Sequence, residues 1–205
     1  MSYVRNVAGG ALLVLLSTTP LAAQYRGIVI SGRGGGYSST SNLNDAGTAD
    51  FNLGFTLGGG VAWRLGRNIA LRSDFTWARS DLDGPGISGP GGTGINRYYY
   101  SGDVQLLLPI ASFTPYVFGG AGGVTLDQSG TGSLTRLTRV AGRFGVGFSY
   151  EIPRTRFSLF SQGTAWVYNF ENRPGLYQER ESRIGVDGRQ FDIAWTGGIS
   201  YRLPF

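Results

Sequence analysis

Long alternation of apolar with small or polar residues is the sequence feature that most constrains the fold. Over residues 51–65 every odd position except Gly59 is a large apolar residue, while the even positions are small or polar. A period of two places alternate side chains on opposite faces of a β-strand. Strands of soluble domains usually run about 5 to 6 residues, whereas a tilted strand that crosses a bilayer needs about 9 to 11. The length of this row therefore favours a membrane-spanning strand.

The same alternation recurs along the chain. Further apolar rows begin at Ile69, Tyr98, Tyr116, Val140 and Phe191. Each row is long enough to span a bilayer. In the third of them, we expect the spanning apolar face to consist of Tyr116, Phe118, Gly120, Gly122, Val124 and Leu126.

Two further strands have a weaker pattern. In the first, over residues 25–37, several glycines make it hard to tell the apolar face from the polar one. The second covers 157–168 and has the large apolar residues Phe160 and Trp166 on its expected inner face. Both are included because an unpaired strand edge in hydrocarbon is very costly. The count is then eight, an even number, as in single-chain bacterial barrels.

The connections between these strands alternate in length. The short ones lie at 66–68, 109–113 and 151–155, and the long polar ones at 38–50, 79–96, 127–138 and 170–189. Short periplasmic turns and long external loops are typical of outer-membrane barrels. The sequence thus predicts an all-β fold, an eight-stranded antiparallel transmembrane β-barrel with four longer extracellular loops.

The first 23 residues have the pattern of an export signal. Arg5 precedes an apolar stretch over 7–16, and the small residues Ala22 and Ala23 follow it. This order is typical of a secretory signal peptide. A helical anchor would need about 20 apolar residues, and this stretch is much shorter. We therefore expect cleavage after Ala23 and a barrel domain over 24–205.

Missing residue types exclude most catalytic chemistry. The chain has no cysteine and no histidine, and all 18 basic residues are arginine. Cysteine or histidine metal sites, histidine general bases and Schiff-base lysines are therefore impossible. Asp81 and Asp83, the best candidates for an acid/base pair, stand beside a Gly-Pro-Gly turn and are better explained as a solvated loop. We predict no catalytic residue, no metal and no cofactor.

The net charge of +5 does not indicate nucleic-acid binding, because the arginines are scattered among 13 acidic residues. Alternation assigns several of these charges to the barrel interior. The predicted lumen charge network consists of Arg64, Arg72, Asp74, Asp103, Arg143, Asp192 and Arg202. The interior of an eight-stranded barrel is only just wide enough for its own side chains, so charges there should be paired. The alternative is a gated conduit for protons or small ions.

Two segments resemble a known family. One is 114–123, which opens with Pro115 and Tyr116 and continues with alternating glycine; the other is the C-terminal pattern Tyr201, Leu203 and Phe205. With eight alternating strands, the chain resembles the small bacterial outer-membrane β-barrel superfamily of OmpA-like, OmpX-like and Opacity-type barrels. The resemblance implies a Gram-negative outer-membrane location and implies that the C-terminal pattern is the signal read by the barrel-assembly machinery.

The predicted function is non-enzymatic, with surface loops displayed on a rigid barrel for envelope integrity, adhesion or host contact. The barrel enzymes of the resembled superfamily depend on a histidine, which this chain lacks. Expected partners are outer-membrane lipid, lipopolysaccharide, the assembly machinery and an extracellular ligand of the loops. Arginines of the 170–189 loop could pair with lipopolysaccharide phosphates. The alternatives are a narrow porin-like channel for small solutes or ions, and a secreted lipocalin-type barrel with its apolar rows inside.

Overall fold

A computed structural model describes residues 27–39, 50–51, 53–83, 94–129, 137–170 and 188–204. The expected signal peptide, residues 1–23, and the expected start of the barrel domain at residue 24 lie outside these residues. The described chain forms β1 (Gly27–Ser39), β2 (Asp50–Phe51), β3 (Gly54–Arg64), β4 (Ile69–Asp83), β5 (Gly94–Leu107), β6 (Phe113–Ser129), β7 (Leu137–Glu151), β8 (Phe157–Phe170) and β9 (Gly188–Arg202). Within these ranges, no helix is long and apolar enough to cross a membrane.

Eight long strands close into one barrel. They pair in the order β4, β3, β1, β9, β8, β7, β6, β5, and β4 pairs again with β5. Every pairing is antiparallel. The two-residue β2 pairs only with β4, so the expected strand over 51–65 is divided into β2 and β3. The predicted eight-stranded antiparallel barrel is confirmed.

The barrel has its apolar side outside. On β3 the side chains of Phe55, Leu57 and Trp63 are exposed, whereas that of Thr56, between Phe55 and Leu57, is buried. The same alternation holds on β9, where Trp195 is exposed and Asp192 is fully buried. A soluble lipocalin-type barrel would have its apolar rows inside, so the alternation rejects that alternative.

Strand β8 has the orientation expected from the sequence. Trp166 is only 3% exposed, and Phe160 lines a cavity inside the barrel. The prediction that both residues lie on the inner face is confirmed. Phe157 and Leu159, on the outward face of the same strand, are exposed.

Strand β6 has the opposite orientation to the one expected. Tyr116, Phe118, Val124 and Leu126 are buried inside the barrel, while Val117 is 49% exposed on the outside. The prediction of a spanning apolar face made of these residues is therefore wrong. Both faces of β6 carry apolar or small residues, so the alternation alone does not fix which face is inside.

Glycines on the neighbouring strand explain why these rings fit inside. Tyr116 and Phe118 lie over Gly147 and Gly145 of β7, which have no side chains to occupy that space. A Cβ added at Gly147 would lie 2.7 Å from Cζ of Tyr116 and 2.6 Å from the carbonyl oxygen of Ser161. The lumen is thus filled by pairing large residues of one strand with glycines of the next.

The seven connections divide between the two ends of the barrel. Short turns at 65–68, 108–112 and 152–156 join β3 to β4, β5 to β6 and β7 to β8 at one end, here called the turn end. The connections at the opposite end, the loop end, run through 40–49, 84–93, 130–136 and 171–187. The four predicted longer loops, 38–50, 79–96, 127–138 and 170–189, overlap these ranges, but their ends lie in strands, since 79–83 belongs to β4 and 94–96 to β5. The central parts of all four lie outside the described residues.

We predict that Gly147→Ala destabilises the barrel by about 1 to 3 kcal/mol, the usual cost of overpacking. The matched control is Gly142→Ala on the same strand, where an added Cβ would have an ordinary 3.8 Å contact with the Val167 carbonyl oxygen. Urea unfolding in detergent micelles, followed by tryptophan fluorescence, measures both. Equal stability of the two variants would contradict the packing described for β6 and β7.

Candidate functional site in the barrel lumen

Asp74 lies at the centre of the lumen. Alternate residues of β4 face inward, which brings Arg72, Asp74 and Thr76 to the interior. The Asp74 carboxylate accepts hydrogen bonds from Arg33 of β1, from Arg72 and, at 2.8 Å, from Arg143 of β7. Its side chain is 1% exposed. One carboxylate therefore ties three strands together across the barrel.

Asp103 extends this group to a fourth strand. Nη1 of Arg143 donates to Oδ2 of Asp103 at 2.6 Å and to Oγ of Ser101 at 2.8 Å, both on β5. We call Arg33, Arg72, Asp74, Asp103 and Arg143 the central cluster. It contains three cations and two anions, so it carries one excess positive charge.

One aromatic ring contacts two of these arginines. The Cζ atoms of Arg72 and Arg143 lie 4.6 and 4.9 Å from the ring centroid of Phe118. A guanidinium over a ring face is attracted by the ring quadrupole. The inward orientation of β6 thus supplies a partner for cations that the two carboxylates only partly neutralise.

A second buried group occupies the lumen nearer the loop end. Asp192 of β9 accepts hydrogen bonds from the hydroxyls of Tyr99 and, at 2.6 Å, Tyr168. The hydroxyls of Tyr37 and Tyr99 are 2.9 Å apart, and the Tyr99 ring stacks on Trp166 with a centroid distance of 4.4 Å. We call Tyr37, Tyr99, Trp166, Tyr168 and Asp192 the aromatic cluster.

A third group lies at the turn end. Glu151 is 3.5 Å from Nη1 of Arg64 and accepts a hydrogen bond from Nη2 of Arg202 at 2.5 Å. The side chains of Glu151 and Arg202 are more than a third exposed. These three residues form the turn-end cluster. It is accessible to water, whereas the central cluster is buried.

The seven charged residues predicted from the sequence do not form one network. Arg72, Asp74, Asp103 and Arg143 meet in the central cluster. Arg64 and Arg202 belong to the turn-end cluster, and Asp192 belongs to the aromatic cluster.

Sequence reasoning missed three charged residues. Arg33 lies in the glycine-rich β1, where the faces are hard to assign, and Glu151 ends β7 at a turn. Arg97 is 1% exposed inside the barrel, where it donates to Oγ of Ser80 at 2.7 Å and lies over the Tyr37 ring. Arg97 could have been found, because it lies six positions before Asp103 on the same strand, and an even spacing places both side chains on one face.

The C-terminal pattern lies at the turn end. The ring centroid of Tyr201 is 4.9 Å from that of Phe157 on β8, and the Leu203 amide donates to the Ile28 carbonyl at 2.9 Å. Phe205 is outside the described residues. Recognition of Tyr201, Leu203 and Phe205 by the assembly machinery stays a prediction.

Asp74→Asn is expected to lower the free energy of unfolding by about 3 to 5 kcal/mol, because it leaves buried arginines without their counter-charge. The control is Glu151→Gln, which removes a partly exposed carboxylate and should cost less than about 1 kcal/mol. Urea unfolding in micelles measures both. Similar losses for the two variants would mean that the central cluster does not hold the barrel together.

A closed barrel with an apolar exterior and a polar, ion-paired interior is the architecture of a transmembrane β-barrel, since closure leaves no strand edge unpaired in lipid. The chain matches the model of the outer membrane protein beta-barrel domain family over residues 8–187. It therefore belongs to that family, whose location is the outer membrane of Gram-negative bacteria.

Solved structures show the same fold. Neisserial surface protein A (NspA) is 12% identical, with a TM-score of 0.60, and the alignment covers 86% of this chain and 97% of that protein. OprG of Pseudomonas aeruginosa is 17% identical, with a TM-score of 0.51 and coverage of 88% and 98%. These identities establish the fold alone. No curated protein matches the chain.

Proposed function

We propose that the protein is a non-enzymatic outer-membrane scaffold that displays its loop-end connections outside the cell for surface interaction. The observation that carries this proposal is the filled lumen. The central and aromatic clusters place buried side chains across an eight-stranded barrel, whose interior is only just wide enough for them. A barrel that uses its interior for stability leaves recognition to its surfaces.

The chemistry of the lumen supports a non-enzymatic role. Asp74, Asp103 and Asp192 each accept hydrogen bonds from arginine or tyrosine side chains. Carboxylates held in this way are structural counter-ions, and the chain has no histidine to act as a base at neutral pH.

Export and lipid contacts are part of the same proposal. Residues 1–23 direct export and are removed, and Tyr201, Leu203 and Phe205 are read by the barrel-assembly machinery. Arg79 and Arg189 are exposed near the loop end, on the strand face that points away from the lumen. Guanidinium groups there are suited to pair with lipopolysaccharide phosphates.

The alternative function is a narrow channel for small solutes or ions. The observation in its favour is a cavity that runs from Arg64 near the turn end to Arg33 and Arg72 in the central cluster. Conduction would also require the contacts of Arg143 with Asp74 and Asp103 to separate. Those contacts are buried, which favours the scaffold over the channel.

The orientation of the barrel can be tested with single cysteines, since the chain has none of its own. Glu179→Cys places a thiol in the 171–187 connection, and Arg156→Cys places one in an exposed turn at the opposite end. In intact cells, a membrane-impermeant maleimide should label the first variant and should label the second only after the outer membrane is permeabilised. The reverse pattern would contradict display of the loop end. Both variants must retain the folded, heat-modifiable gel band.

A further inference from the structure

The lumen contains a cavity between the central and turn-end clusters. Its volume is about 60 Å³, enough for a small ion or a few water molecules. Three arginines from three strands line it, Arg33, Arg64 and Arg72, together with the hydroxyl-bearing residues Ser31, Ser149 and Ser200. No carboxylate is among the described residues that line this cavity.

Charge around the cavity is unbalanced. The ion pairs of the central and turn-end clusters join five arginines to three carboxylates, Asp74, Asp103 and Glu151. None of these carboxylates lines the cavity, so its described wall presents cations and the hydroxyls of Ser149 and Ser200, whereas the Ser31 hydroxyl already donates to the Gly60 carbonyl at 3.3 Å. The excess positive charge of the central cluster is buried, and such charge is costly unless an anion offsets it.

Arg72 uses only part of its hydrogen-bonding capacity. Nη1 of Arg72 donates to Oε1 of Gln162 at 3.0 Å, and both residues line the cavity. The adjacent Nη2 of Arg72 is buried and has no hydrogen-bond partner among the described residues. The Arg72 side chain is 8% exposed. Nη2 has no surface open to the cavity, so what Arg72 offers an anion at the wall is the positive charge of its guanidinium group.

We propose that this cavity binds a small inorganic anion, which Arg64 holds by a charge-assisted hydrogen bond, Arg72 attracts by its charge, and the hydroxyls of Ser149 and Ser200 help to coordinate. The anion neutralises the excess charge between the two clusters and stabilises the folded barrel. The site lies inside the barrel and is independent of what the loops bind.

The experiment uses the protein purified from outer membranes in zwitterionic detergent. The readout is the temperature at which the folded gel band is expected to convert to the unfolded band, measured against increasing concentrations of sodium bromide or sodium phosphate. Sodium gluconate, whose anion is too bulky for the cavity, keeps the ionic strength constant. We expect bromide or phosphate to raise the transition temperature to a plateau, because a ligand that binds only the folded state stabilises it by mass action.

Matched variants locate the effect. Arg64→Gln should weaken the apparent anion affinity by about tenfold or more, since a charge-assisted hydrogen bond is lost. Arg156→Gln removes the same charge from an exposed position at the same end and should leave the affinity within about twofold. Ser200→Ala, a milder change at the wall, should weaken binding by about threefold to tenfold.

Three outcomes would overturn the proposal. The first is a transition temperature that responds equally to bromide, phosphate and gluconate, which would indicate a cavity filled by water. The second is an equal loss in Arg64→Gln and Arg156→Gln, which would indicate general screening of the turn end. The third is a saturable anion effect that Ser200→Ala and Arg64→Gln both leave unchanged, because the anion would then bind elsewhere.

Discussion

Asp74 accepts hydrogen bonds from Arg33, Arg72 and Arg143, which belong to three different strands of the barrel. A closed antiparallel sheet is held around its circumference by backbone hydrogen bonds, but these do not act across its diameter. The central cluster supplies that transverse connection, and Asp103 extends it to β5. Because the cluster occupies the middle of the lumen, the aromatic cluster, the turn-end cluster and the cavity are arranged around it.

The lipid outside the barrel explains why charged side chains are buried inside it despite the free-energy cost of removing them from water. In a soluble protein, burial of apolar side chains drives folding and buried ion pairs are often neutral or unfavourable. Here the apolar residues face outward, as Leu57 and Trp195 do, so the polar residues must satisfy one another inside. The stacking of Tyr99 on Trp166 and the contacts of the Phe118 ring with Arg72 and Arg143 add apolar contact to this polar interior.

The sequence predicts the strand number and the closed barrel, because alternation over long strands leaves few other folds. It fails on β6, where Tyr116 and Phe118 alternate with small residues and the decisive information lies in the glycines of another strand. It also fails to separate the charged residues into clusters, since strand stagger determines which inward residues meet. Arg97 lies on the same face of β5 as Asp103, so alternation could have predicted that it faces inward. Arg33 could not have been assigned in this way, because its strand is rich in glycine.

The most direct test of a lumen filled by the central cluster is electrical conductance across planar lipid bilayers. The purified, folded protein is added to a bilayer in concentrated potassium chloride under an applied voltage, with a known porin as the positive control. A filled lumen predicts no stepwise current at moderate voltage. Regular conductance steps that change in size when Arg143 or Asp103 is substituted would contradict it, and would show that ions pass through the central cluster.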